Sequence, residues 1–185
     1  EVTEQIGGEN VRTVTGVIPS ITSFSNCATS LRGKSQDLVE AWLPPATRQE
    51  PLVSPLSAGA GQYPTVGRTA FFTAVQEQGL DNVIKSQIRS AIAALSQASF
   101  GPSVGDNFED RTAVYVGFSL SGGTGCGLFY DVLTILIDCL NDVPGTSTVI
   151  IPTVMMPSTF EGNLGNEIML RAKLNAAPAL VDLAK

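Results

Sequence analysis

Apolar positions along the chain follow two rhythms, one helical and one strand-like, that alternate over its second half. From Pro64 they share one helical face, at Val66, Ala70, Phe71, Ala74 and Val75, and Gly79 marks the stop. Pro64 suits the first helical turn, where its missing N–H is no loss. The strongest stripe comes next, at Leu80, Val83, Ile84, Ile88, Ala91, Ile92 and Leu95. Asp81 lies near its start and Gly101-Pro102 beyond its end. Thr112 to Ser119 is apolar without alternation, the pattern of a parallel strand covered on both faces. Gly127 to Asn141 reads as a mostly apolar helix, expected to be sandwiched. Thr148 to Met156 predicts the next strand, where Pro152 removes one ladder donor and implies a bulge or an edge. From Asn163 the pattern is helical again, with Pro178 as the expected kink.

The first part of the chain is less regular. Val11 to Ile18 predicts a strand, and Pro19 to Ser35, rich in Ser, Thr, Asn and Gly, predicts loop or irregular structure. Gln36 to Leu43 allows two helical turns before Pro44 and Pro45. Leu52 to Leu56 is a weak strand, spoiled by Pro55. Residues 1–50 thus form the N-terminal part of a domain, with an irregular insertion, and residues 51–185 its core. Strands alternating with helices predict an α/β fold of three layers, a mostly parallel sheet with right-handed crossovers and helices on both faces. No internal repeat is visible.

At 185 residues the chain is long enough to bury a real core. Charged residues make up 15%, below the roughly 25% of an average soluble domain, and apolar residues 43%. The surface is therefore sparsely charged, or partly covered by other sequence or a partner. The net charge is −6, and Lys and Arg are scattered. Nucleic-acid binding and anionic membranes both need a basic face, so neither is expected. Asp131, Asp138 and Pro152 interrupt the longest apolar runs. No membrane insertion is expected, because no uninterrupted run approaches ~20 residues. No secretory pattern opens the chain. Cys27, Cys126 and Cys139 lack metal-ligand spacing, and three cysteines do not suggest a disulfide framework. A cytoplasmic location fits. There is no histidine, which excludes His-based nucleophile pairs and His-ligated metals.

Chemistry must then rest on carboxylates, backbone amides and bound ions, and one segment is built for amides. Ala113 to Asp142 runs from apolar strand through a glycine-rich turn, SGGTGCG at Ser121 to Gly127, into a long helix. Such a turn aims free N–H groups and a positive helix end at one point, as phosphate-binding turns do. Lys is absent from it, and its glycines do not follow the dinucleotide-fold spacing. The turn resembles the GGGTG(S/T)G loop of tubulin and FtsZ. Upstream, GAGQYPTVGR at Gly59 to Arg68 is similar to the segment that cradles the terminal phosphate in FtsZ-like proteins. Downstream, PSTFEG at Pro157 to Gly162 resembles the segment after the next strand of FtsZ. Three motifs in family order over roughly a hundred residues are far more specific than any one. WLPP at Trp42 to Pro45 points within that superfamily to a divergent bacterial tubulin-like protein.

The resemblance implies a GTP-binding domain of a cytoskeletal GTPase. Gly59, Ala60, Gly61 and Gln62 would hold the terminal phosphate of GTP. Ser121, Gly122, Gly123, Thr124, Gly125, Cys126 and Gly127 would hold the α- and β-phosphates of GTP or GDP, with Thr124 adding its hydroxyl. Glu161 would accept hydrogen bonds from the ribose. Mg²⁺ would arrive with the nucleotide and needs no dedicated protein ligands. Ser121 replaces the family's first glycine. Gly165 stands where the family has an Arg after Glu161, and Arg171 lies too far along to replace it obviously. No catalytic residue is expected in this chain. The family completes hydrolysis with a late acidic loop of the next subunit, so head-to-tail self-association into filaments is expected. The chain opens at Glu1 without methionine and stops at Lys185 inside a helical pattern, as a piece of a longer protein would.

Plainer readings stand beside these. The plainer reading of the turn at Ser121 to Gly127 is glycines used only for packing, and of Gly59 to Gln62 a surface loop. Arg68 is either a phosphate contact or, more commonly for helical Arg, a snorkelling charge. Asp131, Asp138 and Asp142 sit on the helix after the turn, and Asp131 and Asp138, seven apart on one face, form a polar seam or a subunit contact, without a catalytic role. ATSLRGKS at Ala28 to Ser35 matches a loosened phosphate-loop pattern in which Lys34 and Ser35 would act, although Thr, Ser, Leu and Arg are bulky for an amide nest. As a whole the chain is a GTPase domain or, in another class, a scaffold or filament module without hydrolysis.

Overall fold

The structure, a computed structural model, describes residues 22–46, 50–97, 111–142 and 147–184. The expected strand at Val11 to Ile18 lies outside them. Six helices labelled here alternate with two strands: α1 (Phe24–Lys34), α2 (Gln36–Val39), α3 (Pro64–Gln78), α4 (Leu80–Gln97), β1 (Arg111–Ser119), α5 (Gly123–Asn141), β2 (Ser147–Met155) and α6 (Asn166–Leu183). Short 3₁₀ turns at Leu56–Ala58 and Pro157–Phe160 connect them. β1 and β2 pair in parallel, from Arg111 opposite Ser147 to Ser119 opposite Met155. The fold is α/β, with a small parallel sheet and many helices.

α1 corrects the expectation of an irregular segment. Ser23 caps it by accepting the Asn26 amide at 3.3 Å. Its polar residues point outward, while Phe24, Cys27, Ala28 and Leu31 are buried at helical spacing. Full burial of Phe24 and Leu31 is worth roughly 2–3 kcal/mol each. The propensity penalties of Ser, Asn and Thr are about 0.7 kcal/mol or less per residue, so packing outweighs them. The expected strand at Leu52 to Leu56 does not form either. Val53 and Leu56 make single backbone bonds to Phe24 and Thr22 at the start of α1, not a ladder.

α3 ends where expected. Gly79, at φ 64°, donates its N–H to the Ala74 and Val75 carbonyls. α4 then buries Leu80 beside Phe71 and Ala74, with Ile84 leaning on α5, but Val83, Ala91, Ala93 and Ala94 along it are exposed. α5 begins four residues earlier than the sequence reading placed it, inside the glycine turn. It is long and apolar enough to cross a membrane by length and composition alone, which corrects the expectation drawn from its interrupted apolar runs. It packs against α3, α4, β1 and α6, with Phe129, Leu136 and Cys139 buried and Tyr130 and Ile137 exposed.

The sheet is covered on one face among the described residues. Phe118, Leu120, Val154 and Met156 pack with Phe129 of α5 and Ala176 and Ala179 of α6, and the Phe118 and Phe129 rings stack at 5.2 Å. On the opposite face Tyr115 is 70% exposed, and Val149 and Met155 are 47% exposed. The expected cover on both faces is thus seen on one. Pro152 sits in register opposite Val116, and β2 is an edge of the described sheet, as its proline implied. α6 runs through Pro178 without a break.

Candidate functional site

The two glycine-dense bends lie against each other, because helices α3 and α5 pack with their first turns almost backbone to backbone. A Cβ on Gly123 would stand 2.7 Å from the amide nitrogen and carbonyl oxygen of Tyr63, and 2.8 Å from the Ala60 Cβ. A Cβ on Gly67 would come within 2.4 Å of the Gly123 carbonyl oxygen, and one on Gly127 within 2.3 Å of the Pro64 carbonyl oxygen. Gly125 faces the Ser119 carbonyl oxygen at 2.3 Å in the same sense. Only glycine allows this approach. Packing therefore accounts for Gly123, Gly125 and Gly127, as the plainer reading holds.

Packing does not account for Gly59 or Gly122, since a Cβ on either would meet nothing within 4 Å. Gly122 is the N-cap of α5, in extended conformation at φ −103°, and no side chain caps that helix end. Gly59 has φ 115° and ψ 170°, open only to glycine. Gly61 (φ 56°) and Gln62 (φ 67°) follow in the left-handed region. The Tyr63 amide closes the bend by donating to the Ala60 carbonyl at 3.0 Å, and Pro64 opens α3 without a side-chain cap.

Not every group in the bends is available to a ligand. The Ser121 amide donates to the Ser119 hydroxyl at 3.2 Å. The Ser121 hydroxyl is buried without a hydrogen-bond partner, and so is the Gln62 side-chain oxygen. An orphaned buried polar atom is costly, and two of them flank the junction of the bends. Thr124 is exposed at the start of α5. The Cys126 thiol donates to the Asn175 carbonyl at 3.4 Å. Burial and the nearby charge of Asp182 push this thiol up to about 11, so it stays neutral at ordinary pH.

Two residues that sequence reading did not assign to the bends join this site. Asn175 of α6 donates its side-chain amide to the Gln62 carbonyl at 2.9 Å. Arg171, one turn earlier, donates to the Tyr63 hydroxyl at 3.1 Å, with its guanidinium 5.4 Å from the ring centre. The available signal was an Asn inside an alanine-rich helix, where it is a poor helix former unless its side chain is engaged.

Glu161 is not brought to the bends. It closes the Pro157–Phe160 turn, exposed, with Lys173 at 3.6 Å. It lines a separate hollow of about 280 Å³ with Gly162, Leu164, Asn166 and Met169. Arg68 is committed elsewhere: it pairs with Asp131 at 2.8 Å and lies 4.9 Å over the Trp42 ring. That is the polar-seam reading of Asp131, and Asp142 likewise pairs with Arg89 at 2.6 Å. A larger hollow, about 610 Å³, opens beside this pair and touches the second bend only at Cys126 and Gly127. Ala28 to Lys34, the rival phosphate loop, is helix with Ala28 and Leu31 buried. Lys34 reaches Glu77 at 3.6 Å, and the Ser35 hydroxyl accepts Gln76 at 2.7 Å. A helix offers no amide nest, so that motif is a coincidence of letters.

Neither the curated proteins nor the solved structures contain a match to the chain. A family model described as tubulin-like matches residues 11–185, nearly the whole length, and takes in both bends and the PSTFEG segment. The chain belongs to the tubulin-like family.

Proposed function

We propose that this chain is the nucleotide-binding domain of a tubulin-like GTPase, holding the triphosphate of GTP between its two glycine-dense bends. One observation carries the reading: Gly123 seats the second bend directly on Ala60 and Tyr63 of the first, while Gly59 and Gly122 keep open sides that packing leaves unexplained. The residues fit such a group. α5 starts at an uncapped glycine turn, which favours negative charge through its amides and its dipole. The buried, unpartnered Ser121 hydroxyl is a donor within the same bend. Gly59, Ala60, Gly61 and Gln62 would hold the terminal phosphate, and the amides from Gly122 onward the inner ones. Among the described residues no cluster of His, Cys, Asp or Glu is placed to hold a metal. Magnesium, when bound, would balance charge on the phosphate oxygens.

This chain's part is to bind and orient. Hydrolysis would be completed by an acidic loop of the next subunit in a head-to-tail filament, so the 185 residues alone should show GTP turnover near background. Guanine preference and the ribose contact of Glu161 are family implications. Titration of the purified chain with GTP, GDP and ATP in the presence of Mg²⁺ tests the reading. Saturable GTP binding, unchanged in Lys34→Ala, supports it, and absence of any nucleotide binding contradicts it. A non-hydrolysing filament module is the second reading. It is favoured by Gly165 at the family's Arg position and by the engagement of Arg171 with Tyr63. Turnover by the full-length protein would exclude it.

A further inference from the structure

One residue of α6 touches both bends. The Asn175 side chain donates to the Gln62 carbonyl of the first bend at 2.9 Å, and its backbone carbonyl accepts the Cys126 thiol of the second at 3.4 Å. Gln62 is the point where help is needed. It is the described non-glycine residue with positive φ, 67°, an uncommon conformation for a residue bearing a Cβ. The Asn175 amide anchors the peptide that follows it, and Arg171 braces the neighbouring Tyr63 through its hydroxyl and ring. Pro178 cannot donate to the Leu174 carbonyl, and its ring crowds the turn that carries Asn175. This turn of α6 is therefore held less by its own ladder and more by the bends.

We propose that Asn175 is a positioning residue of the phosphate site, which keeps the first bend in its left-handed form against the second and so sets how well that bend receives a terminal phosphate. The proposal rests on the triphosphate reading given above. It makes α6 the element through which the two bends are aligned, with Asn175 acting on the ligand only through Gln62.

The test compares the intact chain with Asn175→Asp, which keeps size but replaces the donor with an acceptor facing a carbonyl. Asn175→Ala and the exposed control Val181→Ala complete the set. Hydrogen exchange without nucleotide is followed at Gly59 to Tyr63, and binding is measured for GTP and GDP separately. In both Asn175 variants, exchange in the bend should quicken about fivefold while the rest of α3 is unchanged. Affinity for GTP should fall about five- to tenfold and that for GDP less than about twofold, with Val181→Ala resembling the parent. Unchanged exchange at Gly59 to Tyr63, or equal loss for both nucleotides together with faster exchange throughout, would overturn the proposal. If the parent binds neither nucleotide, the triphosphate reading fails, and the exchange rates still decide whether Asn175 holds the bend.

Discussion

The two bends use glycine for opposite reasons. In the second, Gly123, Gly125 and Gly127 have no left-handed backbone, and each is required because other backbone stands where its Cβ would be. In the first, Gly59 and Gly61 are required for their own torsion angles, and Gly59 has empty space around it. Gly122 belongs to neither class: its backbone is extended and its surroundings are open. A glycine-rich string therefore mixes packing, torsion and access, and substitution separates them.

The packing glycines should give the largest effect. Gly125→Ala and Gly127→Ala place a methyl against carbonyl oxygens that cannot swing away, since those belong to β1 and α3. Each should lose about 3 kcal/mol or more in denaturant unfolding; a loss below about 1 kcal/mol would mean that α3 and α5 are not so closely joined. Gly59→Ala should lose about 1–3 kcal/mol from torsional strain alone, measured in the same way. Gly122→Ala inverts the pattern. Stability should fall by no more than about 1 kcal/mol, the ordinary cost of Ala at an N-cap whose extended backbone accepts a Cβ, while GTP binding weakens at least about tenfold because the methyl occupies the open side. Unaltered binding in that variant would place the phosphates elsewhere.

The smallest effect concerns Cys126. Its raised value favours the neutral thiol in the folded protein, which adds stability below the ordinary thiol value near 9. That contribution is lost as pH climbs from 9 towards 11, when the unfolded chain ionises and the folded one does not. The thiol is partly wetted, so the change should stay below about 1 kcal/mol. Unfolding free energies measured across this range should fall more steeply for the parent than for Cys126→Ala.

Much of this is legible in the sequence. The stripe from Val66 to Val75, the stop at Gly79 and the two strands are local signals, and they fell where expected within a residue or two. α1 was hidden because its apolar stripe is carried by four residues among Ser, Asn, Thr and Gly, and composition outweighed period. The early start of α5 was hidden because three glycines read as turn, although backbone contact with α3 holds them in a helix. α4 shows the converse: it has the strongest stripe in the chain, yet among its described side chains only the first turn is well buried, since periodicity says which face is apolar and not whether anything covers it. At the site the glycine motifs were readable and their meeting was expected. The bond from Asn175 to Gln62 spans 113 residues and left no local trace beyond a misplaced Asn. Glu161 was assigned by resemblance, and its position by Lys173 brings it into neither bend.

The central claim is that a single triphosphate engages both bends together. Hydrogen exchange of the intact chain with and without GTP and Mg²⁺ tests it most directly. Slowed exchange at Gly59 to Tyr63 and at Gly122 to Thr124, to the same extent of saturation, is the expected result. Protection confined to one bend, or found around Arg68 and Tyr130 instead, would contradict it.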